Sequence, residues 1–381
     1  MSAVTPQPQP ARELGRYRLL SPSAGVRVSP MCLGTMSLGQ AWRESMAGAG
    51  TTKEEAFEFL DTYYNNGGNF LDTSTNYNEG ESEEILGEWM AARRNRDQMV
   101  IATKYTIGIK NVDPEVKIKA NYQGNHRKSL LLTVQQSLAQ LKTTYLDILY
   151  LHLWDYSTSI PEVMQALDSL VKANKVLYLG ISDTPAWIVT KANDYAREHG
   201  MAQFVLYQGA WNLKERDLER EILPMCRAEG MGIVPWGLLG QGKFKTAAEI
   251  KGRTAIRYGT PQTEEEKKVS LALEKVAREV GQGATLASVA VAWALLKAPY
   301  VFPMVGGRSP AQLEEAMKGL EIVLTPEQIK ALEDAVPFSL GFPYNYFATD
   351  PAAADGRPNY FVLAAGHTKY VKSSTPIAPG P

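Results

Sequence analysis

The sequence predicts an α/β chain folded as a closed (β/α)8 barrel. Three observations predict it. Between Met31 and Ala335, short apolar runs of strand length alternate eight times with stretches of helical periodicity. Strands separated by helices pair in parallel through right-handed crossovers, and eight such units are what a closed barrel needs. An open doubly wound sheet, the rival arrangement, shows a glycine-rich turn after its first strand. Here the first run continues as Leu33-Gly34-Thr35-Met36-Ser37.

Two segments precede the first barrel strand. Met1 to Arg12 is rich in proline and glutamine and is expected to be disordered. Tyr17 to Leu20 and Val26 to Val28 alternate about Ser21 to Gly25, the pattern of a β-hairpin. Met31 to Thr35 is the first barrel strand, and Gly39 to Gly50, rich in glycine and alanine, is a loop. Thr52 with Glu55 forms a capping box. Ala56, Phe59, Leu60, Tyr63 and Tyr64 give the helix it opens an apolar face, and Gly67-Gly68 stops it. A strand ending at Asp72 follows, then a helix over Ser82 to Ala92 and a strand over Met99 to Lys104. Gly108 to Lys128 is a polar insertion. The next helix, Leu130 to Leu141, shows Leu131, Val134, Leu138 and Leu141 in period. Strand Leu146 to Leu151, helix Pro161 to Ala173 and strand Val176 to Ile181 continue the rhythm, and Thr184-Pro185 reads as a cap and first-turn proline. Then come strand Phe204 to Tyr207, a helix over Leu218 to Glu229 ended by Gly230, and strand Gly232 to Trp236. A loop from Gly237 to Thr263 precedes helices over Glu264 to Val280 and Leu286 to Leu296. The eighth strand is Tyr300 to Val305, and Ser309 and Thr325 each cap a short helix. The barrel therefore spans 13–336. Residues 337–381, with little helix or strand signal, are expected to pack on it as a long irregular tail.

Composition argues against several classes of function. The 381 residues are 44% hydrophobic and 21% charged, enough for one large core without metal or disulfide support. With 40 basic against 41 acidic side chains, no basic face is set up for nucleic acid or anionic membrane. No apolar run of about 18 residues is present to span a bilayer. The N-terminus lacks the apolar stretch of a secretion signal, and Pro379-Gly380-Pro381 is no peroxisomal address. Only Cys32 and Cys226 occur, far apart, which fits a reducing compartment and a cytoplasmic protein. His126, His152, His199 and His367 show no ligand spacing, so no metal is expected.

Functional groups in such barrels gather where the strands end. The second strand ends in Asp72, with Tyr77 five positions on. Lys104, His152, Ser182-Asp183 and Gln208 end the next four, Trp236 ends the seventh, and Gly306-Gly307-Arg308 ends the eighth. Any one of these has an ordinary explanation, since chains surface there. Asp, Tyr, Lys and His on three consecutive strands are instead the parts for adding hydride and a proton across a C=O bond. A phenol titrates near ~10 in water and needs tuning to donate at neutral pH. Lys104 can lower that value, Asp72 can hold Lys104 charged, and His152 can orient a carbonyl oxygen.

With these residues the sequence resembles the aldo-keto reductase superfamily, over roughly Leu33 to Ala335. The stretch Asn69 to Gly87 is especially similar. Gly180-Ile181-Ser182-Asp183-Thr184-Pro185-Ala186-Trp187 and Pro337 to Pro343 resemble its fungal aryl-alcohol dehydrogenase and norsolorinic acid reductase branch. The resemblance implies a TIM barrel that binds NADP(H) without a Rossmann domain and acts on a small carbonyl or alcohol. Tyr77 would be the general acid, tuned by Lys104 and Asp72. Ser182, Asp183 and Gln208 would hold the nicotinamide carboxamide, and Trp236 would stack on its ring. Gly237, Leu239, Gly240, Gly242 and Lys243 would cover the pyrophosphate. The Gly306-Gly307-Arg308 strand end and Gln312 would lie near the adenosine 2′-phosphate, and Glu315 near adenine. Two positions depart from the family, which more often has asparagine at Asp183 and usually at Ala316. Arg308 beside the helix start at Ser309 still suits a phosphate, so NADP is expected over NAD.

Gly237 to Phe244 mimics a nucleotide-binding phosphate loop, but Phe244 stands where a hydroxyl must ligate magnesium. For the substrate, Trp42, Trp154 and Trp211 are candidate walls of an aromatic pocket, with Tyr156 and the tail rings Tyr344, Tyr346 and Phe347. Core packing is the commoner fate of such rings. The branch implies an aryl aldehyde, or a polyketide ketone of secondary metabolism. A cofactor-binding regulatory or redox-sensing barrel is the alternative, against which the complete Asp-Tyr-Lys-His set argues.

Overall fold

The computed structural model describes residues 6–44, 50–251, 261–354 and 356–379. Parts of the expected N-terminal disorder and of the loops at 39–50 and 237–263 lie outside the described residues.

Parallel strands covered on both faces must be apolar along nearly their whole length. Such strands form the sheet: β3 (Cys32–Gly34), β4 (Phe70–Asp72), β5 (Val100–Tyr105), β6 (Leu146–Leu151), β7 (Val176–Ser182), β8 (Phe204–Ala210), β9 (Gly232–Trp236) and β10 (Met304–Gly306). They pair in parallel in the order β10-β3-β4-β5-β6-β7-β8-β9. Ile233 closes the ring: its N–H donates to Tyr300 O at 2.9 Å and its carbonyl accepts from Phe302 N at 2.8 Å. The expected eighth strand, Tyr300 to Val305, is therefore divided. Residues 300–302 bridge to β9, and 304–306 pair with β3.

An antiparallel hairpin, β1 (Arg18–Ser21) and β2 (Ala24–Val28), precedes the barrel. Its Leu20, Ala24 and Val28 pack with Phe70, Val100 and Phe302, near the N-terminal ends of the strands, and so close the end opposite the site.

The helices form the outer layer. They are α1 (Lys53–Asn65), α2 (Glu81–Arg93), α3 (Arg127–Gln140), α4 (Ile160–Lys172), α5 (Ala186–Glu198), α6 (Ile222–Glu229), the short α7 (Ala247–Lys251), α8 (Glu264–Val280), α9 (Leu286–Lys297), α10 (Pro310–Met317) and α11 (Pro326–Glu333). Thr52, Thr263 and Thr325 close capping boxes at α1, α8 and α11. Four expectations are corrected. α3 starts earlier, because the His126 ring accepts from Ser129 N, and Leu130 rather than Leu131 faces the core. Thr184 does not cap α5: its hydroxyl donates to Ser182 O, and Pro185 takes the cap position. The helix expected from Leu218 is a 3-10 turn, Asp217–Glu219, followed by α6. Ser309 makes no side-chain cap at α10.

Beyond α11 the chain follows α6. Phe338 lies under the guanidinium groups of Arg216 and Arg220, Ser339 O accepts from Arg220, Tyr344 Oη donates to Glu221, and Asp350 pairs with Arg227. A short helix, α12 (Tyr360–Ala365), adds order that its sequence did not signal. Among the described residues no helix is long and apolar enough to cross a membrane.

Candidate active site

Side chains alternate across a strand, so β5 sends Thr103 outward to the helices and Lys104 into the barrel. Lys104 is fully buried and forms an ion pair with Oδ1 of Asp72, the last residue of β4. Its ammonium also donates to Thr73 O at 2.7 Å, and Gln208 Nε2 donates to Asp72 Oδ2 at 2.9 Å. Burial works to lower the pKa of Lys104, but Asp72 and Tyr77 outweigh it and the net direction is up. Burial pushes the Asp72 carboxyl up, and Lys104 pulls it back. The pair is charged at neutral pH because each member compensates the other's desolvation.

Tyr77 follows β4 in a tight loop. Asn78 and Glu79 take left-handed backbone angles, φ 47° and 56°. Asn78 is suited to this region, and its side chain pins the loop by donating to Met36 O at 2.8 Å and accepting from Trp42 N at 3.0 Å. The Tyr77 ring then lies 4.8 Å from Lys104 Nζ and 6.2 Å from each of the His152 and Trp42 rings. The expectation of a lowered phenol pKa is corrected. Burial raises it more than Lys104 lowers it, so the hydroxyl keeps its proton through neutral pH.

His152 follows β6. Burial, reinforced by Lys104, drops its pKa to about 3, so the imidazole is neutral. Its Nδ1 lies 3.3 Å from Ser74 Oγ, which in turn is 2.7 Å from Asn76 Oδ1. Ser74 has a single proton to give. That proton goes to Asn76 Oδ1, so Ser74 Oγ accepts from His152 Nδ1–H and Nε2 is the bare ring nitrogen.

A second group faces the first across the rim. Trp236 Nε1 donates to Asp183 Oδ1 at 3.2 Å, and Ser182 Oγ donates to Asp183 Oδ2 at 3.3 Å. Asp183 sits at φ 41°, and its N–H donates to Gln208 O at 3.0 Å. Burial raises its carboxyl pKa, and its charge acts on Tyr77.

The glycine loop after β9 is held by Asn212, whose side chain donates to Gly237 O at 3.1 Å. Gly237, Gly240 and Gly242 have positive φ, and a Cβ at Gly240 would meet the buried Phe244 ring at 2.8 Å. Phe244 thus packs beneath the loop. Lys243 pairs with Glu266 at 3.4 Å. Leu239, Phe244, Lys245, Arg278 and Glu315 line one cleft of about 590 Å³. At the end of β10, Ser37 Oγ donates to Gly307 O at 2.5 Å and Arg308 N donates to Gln312 Oε1 at 2.9 Å.

The structure thus brings Asp72, Tyr77, Lys104, His152 and Gln208 together, with Trp42 beside them. Ser182, Asp183 and Trp236 gather opposite. The other aromatic candidates differ in their surroundings. Trp211 is fully buried, its indole N–H donating to Glu219 and its ring 5.1 Å from Trp293, so it is a core residue. Trp154 is nine-tenths buried in the main core, and Tyr156 points to solvent. Tyr346 and Phe347 pack on each other, and Tyr344 meets α6. Three residues escaped sequence reasoning. Ser74 stands two positions past Asp72, a spacing that could have flagged it. Asn78 is a left-handed asparagine beside Tyr77. Tyr150 is paired in register with Lys104, and its buried hydroxyl has no protein partner. Among the described residues no cluster of acids, histidines or cysteines could hold a metal ion.

Comparison with known proteins decides the family. The model of the aldo/keto reductase family matches residues 30–337. The chain belongs to the aldo/keto reductase family. It is 49% identical to norsolorinic acid reductase A of Aspergillus parasiticus over 344 residues, 90% of this chain and 87% of that one. It is also 49% identical to an NADP(+) aryl-alcohol dehydrogenase of Phanerodontia chrysosporium over 380 residues, 96% of each. A putative aryl-alcohol dehydrogenase of Saccharomyces cerevisiae is 48% identical, covering 91% of this chain and 93% of its own. This family member is an oxidoreductase.

Proposed function

We propose that this aldo/keto reductase uses NADP(H) to interconvert an aromatic aldehyde or ketone and its alcohol, with Tyr77 as the proton donor. The observation that carries the reading is the Lys104–Asp72 pair set against Tyr77 and His152 at one rim. The remaining rim residues suit the cofactor. The cleft of about 590 Å³ between the glycine loop, the end of α8 and the turn into α9, with Glu315 of α10 on its wall, has room for a nucleoside. Lys245 and Arg278 on its lining, with Arg308 and Lys243 outside it, supply cations for phosphates. Ser182, Asp183 and Gln208 offer hydrogen-bonding groups for a carboxamide, and Trp236 offers a ring face. Bound there, the reduced nicotinamide supplies the hydride.

The chain's own groups do the rest. Neutral His152, its ring held at Nδ1 by Ser74, stands beside Tyr77 where the substrate oxygen would lie. Tyr77 transfers its proton to that oxygen as negative charge develops on it. Lys104 stabilises the phenolate left behind, and Asp72 keeps Lys104 charged and fixed. In the oxidative direction the phenolate takes the proton back. Trp42, beside Tyr77, gives the pocket an aromatic wall, which supports an aryl substrate. The names of the relatives, a norsolorinic acid reductase and an aryl-alcohol dehydrogenase, support the same class.

A panel of aryl aldehydes, aryl ketones and aliphatic aldehydes, each assayed for NADPH and NADH consumption, tests this. Turnover of aromatic carbonyls with NADPH is expected. Tight NADPH binding with no turnover of any carbonyl would overturn the reading.

A further inference from the structure

Helix α2 starts just past the loop that carries Tyr77, and its first turn points two fully buried polar side chains at the back of the site. Ser82 Oγ donates to Thr35 O at 2.9 Å and lies 3.1 Å from Thr73 Oγ1, beside the carbonyl that receives the Lys104 ammonium. Glu83 Oε1 accepts from Thr103 Oγ1 at 2.5 Å. Thr103 precedes Lys104 in β5 and points the opposite way. Glu83 Oε2 makes no well-aligned hydrogen bond, and its nearest donor is the Ser137 hydroxyl of α3. Ser137 Oγ, across on α3, engages Thr75 Oγ1 at 3.0 Å, and Thr75 donates to Lys104 O at 3.0 Å. The outward side of the Lys104 segment is therefore held by one carboxyl and a set of hydroxyls. A fully buried carboxyl costs stability, and an apolar residue would fill the same layer without that cost.

We propose that Glu83 is a positioning residue of the reaction: it fixes Lys104 through Thr103, and its charge sets how strongly the Lys104 ammonium acts on Tyr77. The proposal rests on the reading of Tyr77 as proton donor. Two charged groups act on Glu83. Lys104 of β5 favours its carboxylate and Glu84 of its own helix opposes it, while the uncharged hydroxyls of Thr103 on β5 and Ser137 on α3 also favour the carboxylate. Burial dominates and moves the carboxyl up to about 7. Below that pH Glu83 is neutral and the full field of Lys104 reaches Tyr77. Above it the carboxylate offsets part of that field, and the phenol becomes a weaker acid.

The test is kcat and KM for carbonyl reduction from pH 5.5 to 9, in the wild type and in Glu83→Gln. Glutamine keeps the shape and the acceptor for Thr103 but cannot ionise. The wild-type kcat is expected to fall about 2- to 10-fold through an inflection near pH 7, beyond which Glu83→Gln stays on the low-pH plateau. KM and cofactor Kd should be unchanged. Superimposable pH profiles, or a uniform loss with raised KM, would overturn the proposal. Infrared titration of carboxyl groups in the wild-type chain decides the matter even where the variant does not fold. One buried carboxyl ionising near pH 7 supports it, and none protonated above pH 5 contradicts it. This titration does not depend on the chemistry of Tyr77, so the two readings fail separately.

Discussion

Replacing Asp72 by asparagine removes one charge from a pair that has no access to water. Lys104 is fully buried and Asp72 is 1% exposed. The asparagine oxygen can face the ammonium, but its amide nitrogen then meets Gln208 Nε2, a donor against a donor. Removing one partner of such a pair costs about 3–5 kcal/mol, because the other charge stays desolvated. At roughly 2–3 °C per kcal/mol for a chain of this size, Tm should fall by about 6–15 °C. The pH dependence carries the sharper signature. In the wild type Lys104 is held above its usual range, so its contribution is complete below the unfolded value of ~10.4 and is lost only above it. Without Asp72, burial takes Lys104 below the unfolded value. The unfolded chain then binds more protons, and the variant's stability rises with pH up to ~10.4. Chemical denaturation at several pH values between 6 and 9.5 measures both effects. A deficit below ~1 kcal/mol with no slope would refute the reasoning, since it would mean that the pair is solvated.

Other substitutions test the remaining parts. Ser74→Ala should lower kcat for carbonyl reduction about 2- to 10-fold with little effect on cofactor Kd, because His152 loses the hydroxyl that sets its tautomer and holds its ring. The wild-type rate should show no inflection from His152 between pH 5 and 8, since that ring ionises only at about pH 3; His152→Gln, measured across the same range, should leave the profile's shape intact. Arg308→Ala should weaken NADPH binding about 10- to 150-fold and NADH binding far less, as titrated by cofactor fluorescence.

Much of this was legible in the sequence because barrel geometry converts chain order into spatial order. A polar residue at the end of a buried strand has one rim to go to, so Asp72, Lys104 and Gln208 could be grouped without coordinates. Thr52 and Thr325, with partners three residues on, marked helix starts for a local reason and were read correctly. Thr184 failed because its hydroxyl had a competing acceptor in Ser182 O, which no local rule ranks. Trp211 shows the same limit. Its position past β8 fitted a pocket wall, but Glu219 and Trp293 draw the indole inward. The direction of the Tyr77 shift was misjudged because spacing reveals a nearby cation but not the degree of burial. Glu83 and Tyr150 were invisible because their significance lies in contacts across helix and strand layers.

The central claim is that Tyr77 gives the proton. Tyr77→Phe keeps the ring and its contacts with Trp42 and His152 and removes only the hydroxyl. Measured as NADPH consumption with an aryl aldehyde, kcat should drop about 10²- to 10⁴-fold while NADPH Kd stays within about twofold. Retention of wild-type kcat in that variant would contradict the account.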